Sequence, residues 1–304
     1  MTFFNTLILL GSLQGLISFV LLWKADKNRQ SNRLMATLIL LISLACLNIF
    51  LLEQDLKVEL VFIRFLVIIL PLTVIMPIGP LLYFYVRSLT ESSFELKRKD
   101  LIHFYPVLLD LIPYLTYLIC YLMFFANSIS DQQLIAINQF VEAYDKYVDI
   151  PRWISISVYL WLVIKLIRNH PANESVQWGR QLTLIFLIFQ IMWFLFLIFY
   201  LIPSTTDWLI AEMGWYPLYI PLTIMVYWFG IKGFLINASV RASRAKPIAA
   251  KEVDSNLKVL KDSMEQAKLY LNPELTLNDV VQHTNLSQKM ISALLNQHMG
   301  KSFN

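Results

Sequence analysis

Residues 182–202 read LTLIFLIFQIMWFLFLIFYLI and contain no charged side chain. A helical run of this length crosses the hydrocarbon core of a bilayer, which needs roughly 20 apolar residues. The composition of the chain agrees, since 57% of its 304 residues are hydrophobic, 15% are charged and the mean hydropathy is +0.58. The sequence therefore predicts an all-α protein that resides in a membrane.

Seven apolar runs occur before Leu235 and predict a bundle of about seven transmembrane helices. The runs are Phe3 to Trp23, Leu34 to Leu52, Leu60 to Val86, Phe104 to Phe125, Trp153 to Ile167, Leu182 to Ile202 and Tyr216 to Leu235. The fifth run is short and needs Lys165 and Arg168 as anchors at its polar end. We therefore divide the chain into a transmembrane domain, 1–235, a juxtamembrane linker, 236–253, and a helical tail, 254–304.

The distribution of Lys and Arg predicts the orientation, because cytoplasmic loops collect basic residues. The predicted inner segments hold eleven: Lys24, Lys27, Arg29, Arg33, Arg87, Lys97, Arg98, Lys99, Lys165, Arg168 and Arg180. The predicted outer segments hold three, Lys57, Lys146 and Arg152, with Arg64 just inside the third run. We therefore expect the N-terminus outside and the C-terminus in the cytoplasm.

The third run is unlike the others because it contains Pro71, Pro77, Gly79 and Pro80. Proline removes a backbone donor and clashes with the preceding turn, so a kinked or broken helix is predicted. Such a break either borders a ligand cavity or is simply repaired by neighbouring helices.

A signal could act at two places in the transmembrane domain. Arg64 and Asp110 are the ionisable residues inside the predicted spans, where charges are costly and often functional, and they form a candidate intramembrane signal site. Their estimated depths differ by much of the bilayer, so we do not expect them to pair. The other candidate is the outer loop 126–152, which is long and carries an acidic excess.

Gly11 and Gly15 form a GxxxG pattern on the first helix, with Ser18 close to the same face. Small residues at this spacing let helices approach closely. Packing within the chain is favoured over the alternative, a homodimer.

The tail has the pattern of several short helices. Asp254 to Leu271 is predicted to form an amphipathic helix, because its apolar residues repeat at three- and four-residue steps. Thr276 and Asp279 have the spacing of a capping box that opens a second helix. Asn285 can adopt the left-handed conformation in the following turn, and Ser287 is predicted to cap a third helix.

The third helix separates apolar from polar residues. Its predicted core side includes Leu294 and Leu295, and the four residues almost opposite are Gln288, Lys289, Ser292 and Asn296. A short helix, a tight turn and a capped helix with a polar outer face form the layout of a DNA-binding helix-turn-helix. Amphipathic helical hairpins are also common, so the layout alone leaves a protein partner open.

Residues 275–304, LTLNDVVQHTNLSQKMISALLNQHMGKSFN, resemble the first helix-turn-helix of the AraC family of transcription regulators. The likeness includes Leu286-Ser287, Leu294-Leu295 and the segment 300–303, and it departs at Val281 and Asn285, where Ala and Gly are common. Proteins of this family carry two such units joined by a long helix, and the chain stops at Asn304 as that helix begins. Gln288, Lys289, Ser292 and Asn296 project together from the face opposite the core, so we expect them to contact DNA, and we expect one unit alone to bind weakly.

The transmembrane domain is loosely similar, especially in residues 79–83, to the multi-helix sensor regions that are joined to such DNA-binding domains in some Gram-negative bacteria. The resemblance implies a bacterial inner-membrane protein: a membrane-tethered one-component regulator that couples a membrane or extracytoplasmic signal to DNA binding. The partners expected are DNA, the lipid bilayer and a signal ligand.

No catalytic or metal-binding pattern is found in the sequence, which holds no Gly-rich phosphate loop and no ligand spacing around Cys46 and Cys120. We therefore expect no enzymatic activity, no metal and no cofactor. The alternative function is a transporter or membrane receptor whose tail binds a protein. A content of only 8 Gly and the lack of an internal repeat argue against a transporter.

Overall fold

The computed structural model describes residues 3–25, 28–53, 67–91, 94–170, 174–245, 250–266, 271 and 275–295. The regular structure of these residues is helical, and no strand occurs among them. The all-α prediction is therefore confirmed. The chain divides into two compact units, Met1–Asn237 and Ala238–Asn304, which are described separately below.

The helices of the chain, numbered in order, are α1 Phe3–Trp23, α2 Arg29–Glu53, α3 Ile78–Thr90, α4 Val107–Phe125, α5 Asp131–Arg168, α6 Glu174–Leu201, α7 Pro203–Glu212, α8 Tyr216–Ala245, α9 Ala250–Gln266, α10 Leu277–Thr284 and α11 Gln288–Ala293. A short 3-10 helix, Arg98–Phe104, precedes α4.

Five helices in the described part of the chain are long and apolar enough to cross a membrane: α1, α2, α4, α5 and α6. A sixth passage results if α7 and the first part of α8, which are bent by 56° relative to each other, are counted as one broken span. The bend lies at a turn in which Gly214 has a φ of +54°, a conformation that favours glycine. The chain is therefore a polytopic membrane protein by helix length and composition.

The third predicted span, Leu60 to Val86, is not a continuous helix. Residues 67–69 are helical, residues 71–75 have no regular structure, and α3 begins at Ile78. The prediction that the prolines break this span is confirmed, whereas its first part, with residues 54–66, lies outside the described residues. The described residues account for five or six passages, and the count of about seven stays a prediction.

The fifth predicted span and the loop 126–152 also require a correction, because both belong largely to one helix of 38 residues, α5. Ser130 accepts a hydrogen bond from the backbone N–H of Gln133 and opens the helix with a capping box. Pro151 lies inside α5 and does not end it, since a proline removes a single backbone hydrogen bond. At about 1.5 Å per residue, α5 is about 57 Å long and exceeds the thickness of a hydrocarbon core.

The small residues of α1 lie where the helices of the membrane unit approach most closely. Gly11 faces Thr223 of α8, and Gly15 faces Ser43 of α2 and Val226 of α8 so closely that a Cβ atom would overlap them. The glycines therefore allow α1 to pack against α2 and α8, and the prediction that this face packs within the chain is confirmed.

The tail unit has its own small core, formed by Leu260 of α9, Val280 of α10, and Ile291 and Leu294, all at most 2% exposed. The predicted amphipathic helix is observed as α9, which begins slightly earlier than expected and is described up to Gln266. Its contact with the two shorter helices covers apolar side chains that none of them could bury alone.

The local predictions for α10 and α11 are confirmed. Thr276 accepts a hydrogen bond from the N–H of Asp279, and the Asp279 carboxylate accepts one from the N–H of Thr276. Asn285 has a φ of +52°, which ends α10 in the left-handed conformation. Ser287 accepts a hydrogen bond from the N–H of Met290 and caps α11. Three residues therefore connect two capped helices.

Candidate functional site

Asp110 lies in the first turn of α4 and is completely buried. Its Oδ2 atom accepts hydrogen bonds from the backbone N–H groups of Ile75 at 2.7 Å and Met76 at 2.6 Å. Because the broken third span leaves these donors without helical partners, the carboxylate satisfies groups that would be costly to bury alone. Asp110 thus holds the break in place.

The other oxygen of Asp110, Oδ1, accepts a hydrogen bond from Nε of Arg152 at 2.7 Å, and Arg152 also donates from a terminal nitrogen to Asp149 at 2.9 Å. The three side chains are buried, with Arg152 7% and Asp149 8% exposed. Charges in such a setting are stable only when they are paired and hydrogen-bonded. The cluster Asp110–Arg152–Asp149 therefore connects the break, α4 and α5.

The sequence indicates Asp110 as a site residue, whereas Arg152 and Asp149 fall in the predicted outer loop 126–152. The structure corrects this prediction, because both residues lie inside α5. The available signal was the Asp149–Arg152 spacing of three residues, which puts both groups on one face of a helix. The other predicted residue, Arg64, lies outside the described residues.

Two further hydrogen bonds hold the broken segment. The N–H of Thr73 donates to the Tyr114 hydroxyl of α4 at 3.1 Å, and Asn48 of α2 donates through Nδ2 to the Thr73 hydroxyl at 2.9 Å. The segment 71–77 is thus bonded directly to α2 and α4, and α5 is connected to it through the Arg152–Asp110 pair.

A cavity of about 790 Å³ adjoins this cluster. Its size falls within the range of small-molecule sites, which is roughly 300–1,000 Å³. Thr73, Ile75 and Ile78 line it, so the broken segment borders a cavity as one reading of the prolines predicted. Aromatic side chains form much of the remaining wall, among them Tyr114, Tyr117, Phe189, Trp193, Tyr200 and Trp215.

Four charged side chains of the described residues line the same cavity: Asp110, Asp145, Asp149 and Arg152. Asp145 precedes Asp149 by one turn of α5, and no hydrogen bond or ion pair is found for its carboxylate within the described part of the chain. The cavity therefore combines an apolar and aromatic wall with an acidic end. No group of side chains suited to a metal ion is found among the described residues.

The predicted DNA-contacting residues lie in the tail unit, on α11 and beyond it. Gln288 is exposed and donates through Nε2 to Oδ1 of Asn278 on α10 at 2.5 Å, and Ser292 is half-buried. The backbone of Lys289 belongs to α11, while its side chain and the whole of Asn296 lie outside the described part. On the other side of the helix, Ile291 and Leu294 are completely buried.

Comparison of the chain with protein-family models, with curated proteins and with solved structures gives no match.

Proposed function

We propose that the chain is a membrane-tethered transcription regulator, in which the cavity of the membrane unit receives a signal ligand and the tail unit binds DNA. The observation that carries the proposal is the pair α10 and α11, two capped helices joined by three residues. This pair has the layout of a helix-turn-helix, whose second helix enters the major groove. The resemblance of residues 275–304 to the AraC family supports the same function.

The surface of α11 suits base recognition. Gln288 and Ser292 lie away from the buried Ile291 and Leu294, so they can approach DNA without opening the core. A Gln amide can form two hydrogen bonds with adenine, and a Ser hydroxyl can pair with several bases. The bond from Gln288 to Asn278 orients this amide before DNA arrives.

The cavity of the membrane unit is the proposed receptor for the signal, because it adjoins the broken third span. This broken segment is hydrogen-bonded to α2 and α4 and is connected through Asp110 to α5. A ligand that binds one arrangement of this break more tightly than another would shift the equilibrium between the two arrangements.

The proposed topology has seven passages of a bacterial inner membrane, with the N-terminus outside and the C-terminus in the cytoplasm. Alkaline phosphatase fused after Phe234 should be inactive, and activity there would remove DNA binding as a function of the tail.

DNA binding is tested with the full chain in detergent or nanodiscs. Sequences are first selected from a random duplex library, and binding is then measured at several salt concentrations. The double variant Lys289→Ala, Ser292→Ala should lose about 1–3 kcal/mol of binding free energy for each base contact removed. The matched control is Lys261→Ala, Ser263→Ala on α9, outside the proposed recognition helix. Equal affinity of both double variants would refute recognition by α11 and favour a protein partner.

The cavity also supports a second candidate, a transporter, because broken helices and buried charges within a membrane are typical of substrate sites. A transporter would accumulate its cavity ligand inside proteoliposomes, whereas a regulator would bind the ligand without moving it. A receptor whose tail binds a protein would bind the ligand and show no salt-dependent affinity for DNA.

A further inference from the structure

We propose that the cavity of the membrane unit takes an amphipathic organic cation, that is, a ligand with an ammonium group on an apolar or aromatic body. This inference names the ligand class for the signal site of the proposed function and rests on that function only for its biological role. It is argued from the shape, the charges and the hydrogen-bonding capacity of the cavity.

Among the residues that the structure describes, the charged lining is acidic, with three carboxylates against one guanidinium. The Arg152 charge is already engaged, since two of its nitrogens donate to Asp110 and Asp149 at 2.7 and 2.9 Å. A negatively charged ligand would have to compete with both carboxylates for this one cation. A negative excess in a partly apolar cavity favours a cation.

The three carboxylates differ in how many further hydrogen bonds they can accept. Asp110 uses both oxygens, one for Arg152 and the other for two backbone N–H groups. Asp149 uses Oδ1 for Arg152, and its Oδ2 has no bond among the described residues. Asp145 is exposed, and its carboxylate has neither a hydrogen bond nor an ion pair among the described residues. Asp145 and Asp149 lie four residues apart on α5, so one ammonium group can donate hydrogen bonds to both carboxylates.

Lys146, the neighbour of Asp145 on α5, does not bond to the carboxylates of Asp145 and Asp149. The ammonium group of Lys146 lies 5.9 Å from the centre of the Tyr200 ring and donates to the Thr206 hydroxyl at 3.5 Å. Lys146 does not line the cavity. Within the described part of the chain, Arg152 is therefore the cation that bonds to these carboxylates, and it bonds to Asp149 but not to Asp145.

The aromatic wall provides a surface for the apolar body of the ligand. Tyr200 and Trp215 line the cavity, and their ring centres are 5.2 Å apart in an edge-to-face arrangement. Lys146 already lies over the Tyr200 ring and Phe196 stacks on it at 6.0 Å, so this ring contributes apolar surface and not a contact for the ammonium group. The rest of the lining, including Ile42, Ile49 and Phe186, suits an apolar body.

The test is calorimetric titration of the full chain in an uncharged detergent with three probes of one shape: phenylbutylammonium, phenylbutanol and phenylbutanoate. We expect saturable binding of the cation. The alcohol should bind at least about tenfold more weakly because it lacks the charge that strengthens the hydrogen bond to a carboxylate. The anion should show no measurable binding, because the carboxylates repel it. Binding of the anion or the alcohol as tight as that of the cation, or no saturable binding of the cation, would overturn the proposal.

Asp145→Asn should weaken cation binding by about tenfold and leave alcohol binding unchanged. Glu142→Gln is the matched control, since it removes the same charge from an exposed position on α5 that does not line the cavity. Equal effects of the two variants would mean that the acidic end is not the ammonium site. If Asp145→Asn fails to fold, the comparison of the three probes on the unchanged chain still decides.

The ligand class and the regulatory role fail separately. Binding of the cation without any change in DNA affinity would leave the ligand class standing and refute the sensor function. A chain that binds selected DNA but shows no preference for the cation over its neutral and anionic analogues would refute the ligand class alone.

Discussion

The Nε atom of Arg152 lies 2.7 Å from Oδ1 of Asp110, in an ion pair that joins α4 to α5 across 42 positions of the sequence. Asp110 is 0% and Arg152 7% exposed, so the pair is buried although it borders the cavity. The same carboxylate holds the N–H groups of Ile75 and Met76. The break in the third predicted span and the charge pair therefore form one structural unit.

The variant Asp110→Asn should destabilise the membrane unit by about 3–5 kcal/mol, because it leaves the buried Arg152 without its main counter-charge. Combining it with Arg152→Gln should cost less than the sum of the two single variants. Unfolding in mixed micelles of a denaturing detergent measures these differences, with Glu142→Gln on the exposed face of α5 as the control. Strict additivity of the two changes would contradict an energetically coupled pair.

Gly15→Ala should destabilise the packing of α1 by about 1–3 kcal/mol, since its new methyl group would overlap Ser43 and lie 2.6 Å from Val226. Gly179→Ala provides the comparison, because the nearest atom to a Cβ there is a Val86 methyl at 3.4 Å. That substitution should change stability little or raise it by up to about 1 kcal/mol. Thermal unfolding of both variants measures the difference in stability. A similar loss of stability in both would exclude close packing at Gly15 as the cause.

Leu294→Ala should destabilise the tail unit by about 2–5 kcal/mol, because Leu294 is completely buried against Leu260, Val280 and Ile291. Leu271→Ala removes the same atoms from a side chain that is 64% exposed and should have little effect. Hydrogen exchange of residues 275–295 in the full chain reports the difference. If exchange increased equally in both variants, the core assigned to the tail would be wrong.

The capping box of α10 should weaken in acid. Hydrogen bonds from the backbone N–H and the hydroxyl of Thr276 lower the pKa of the Asp279 carboxyl. A group with a lowered pKa in the folded state stabilises it above the unfolded value, near 3.9, and loses this contribution as the pH falls through the folded value.

Asp279→Ala should therefore speed hydrogen exchange in residues 277–284 at neutral pH, and the difference from the unchanged chain at matched pH should narrow below about pH 4. Glu265→Ala, at an exposed position of α9, is the control. A difference that stays constant down to pH 3 would show that the ionised carboxylate does not contribute.

The local features of this protein could be predicted because neighbouring residues in the sequence produce them. α1 has the predicted bounds, the prolines break the third span, and Thr276, Asn285 and Ser287 adopt the predicted cap conformations. α5 was not predicted as one helix, since its first half is too polar to be recognised as a span and Pro151 suggested an end. The predicted loop 126–152 therefore included Arg152, and its ion pair with Asp110 was not predicted.

The sequence by itself determined that the chain is helical and rich in membrane-spanning segments, because run length and hydropathy depend only on local composition. It also determined the capped helices of the tail. Only the tertiary structure decided that Asp110 pairs with Arg152 and that aromatic and acidic side chains from distant helices enclose one cavity. A charge inside a membrane must find a partner, yet which residue provides it depends on how helices far apart in the sequence pack together.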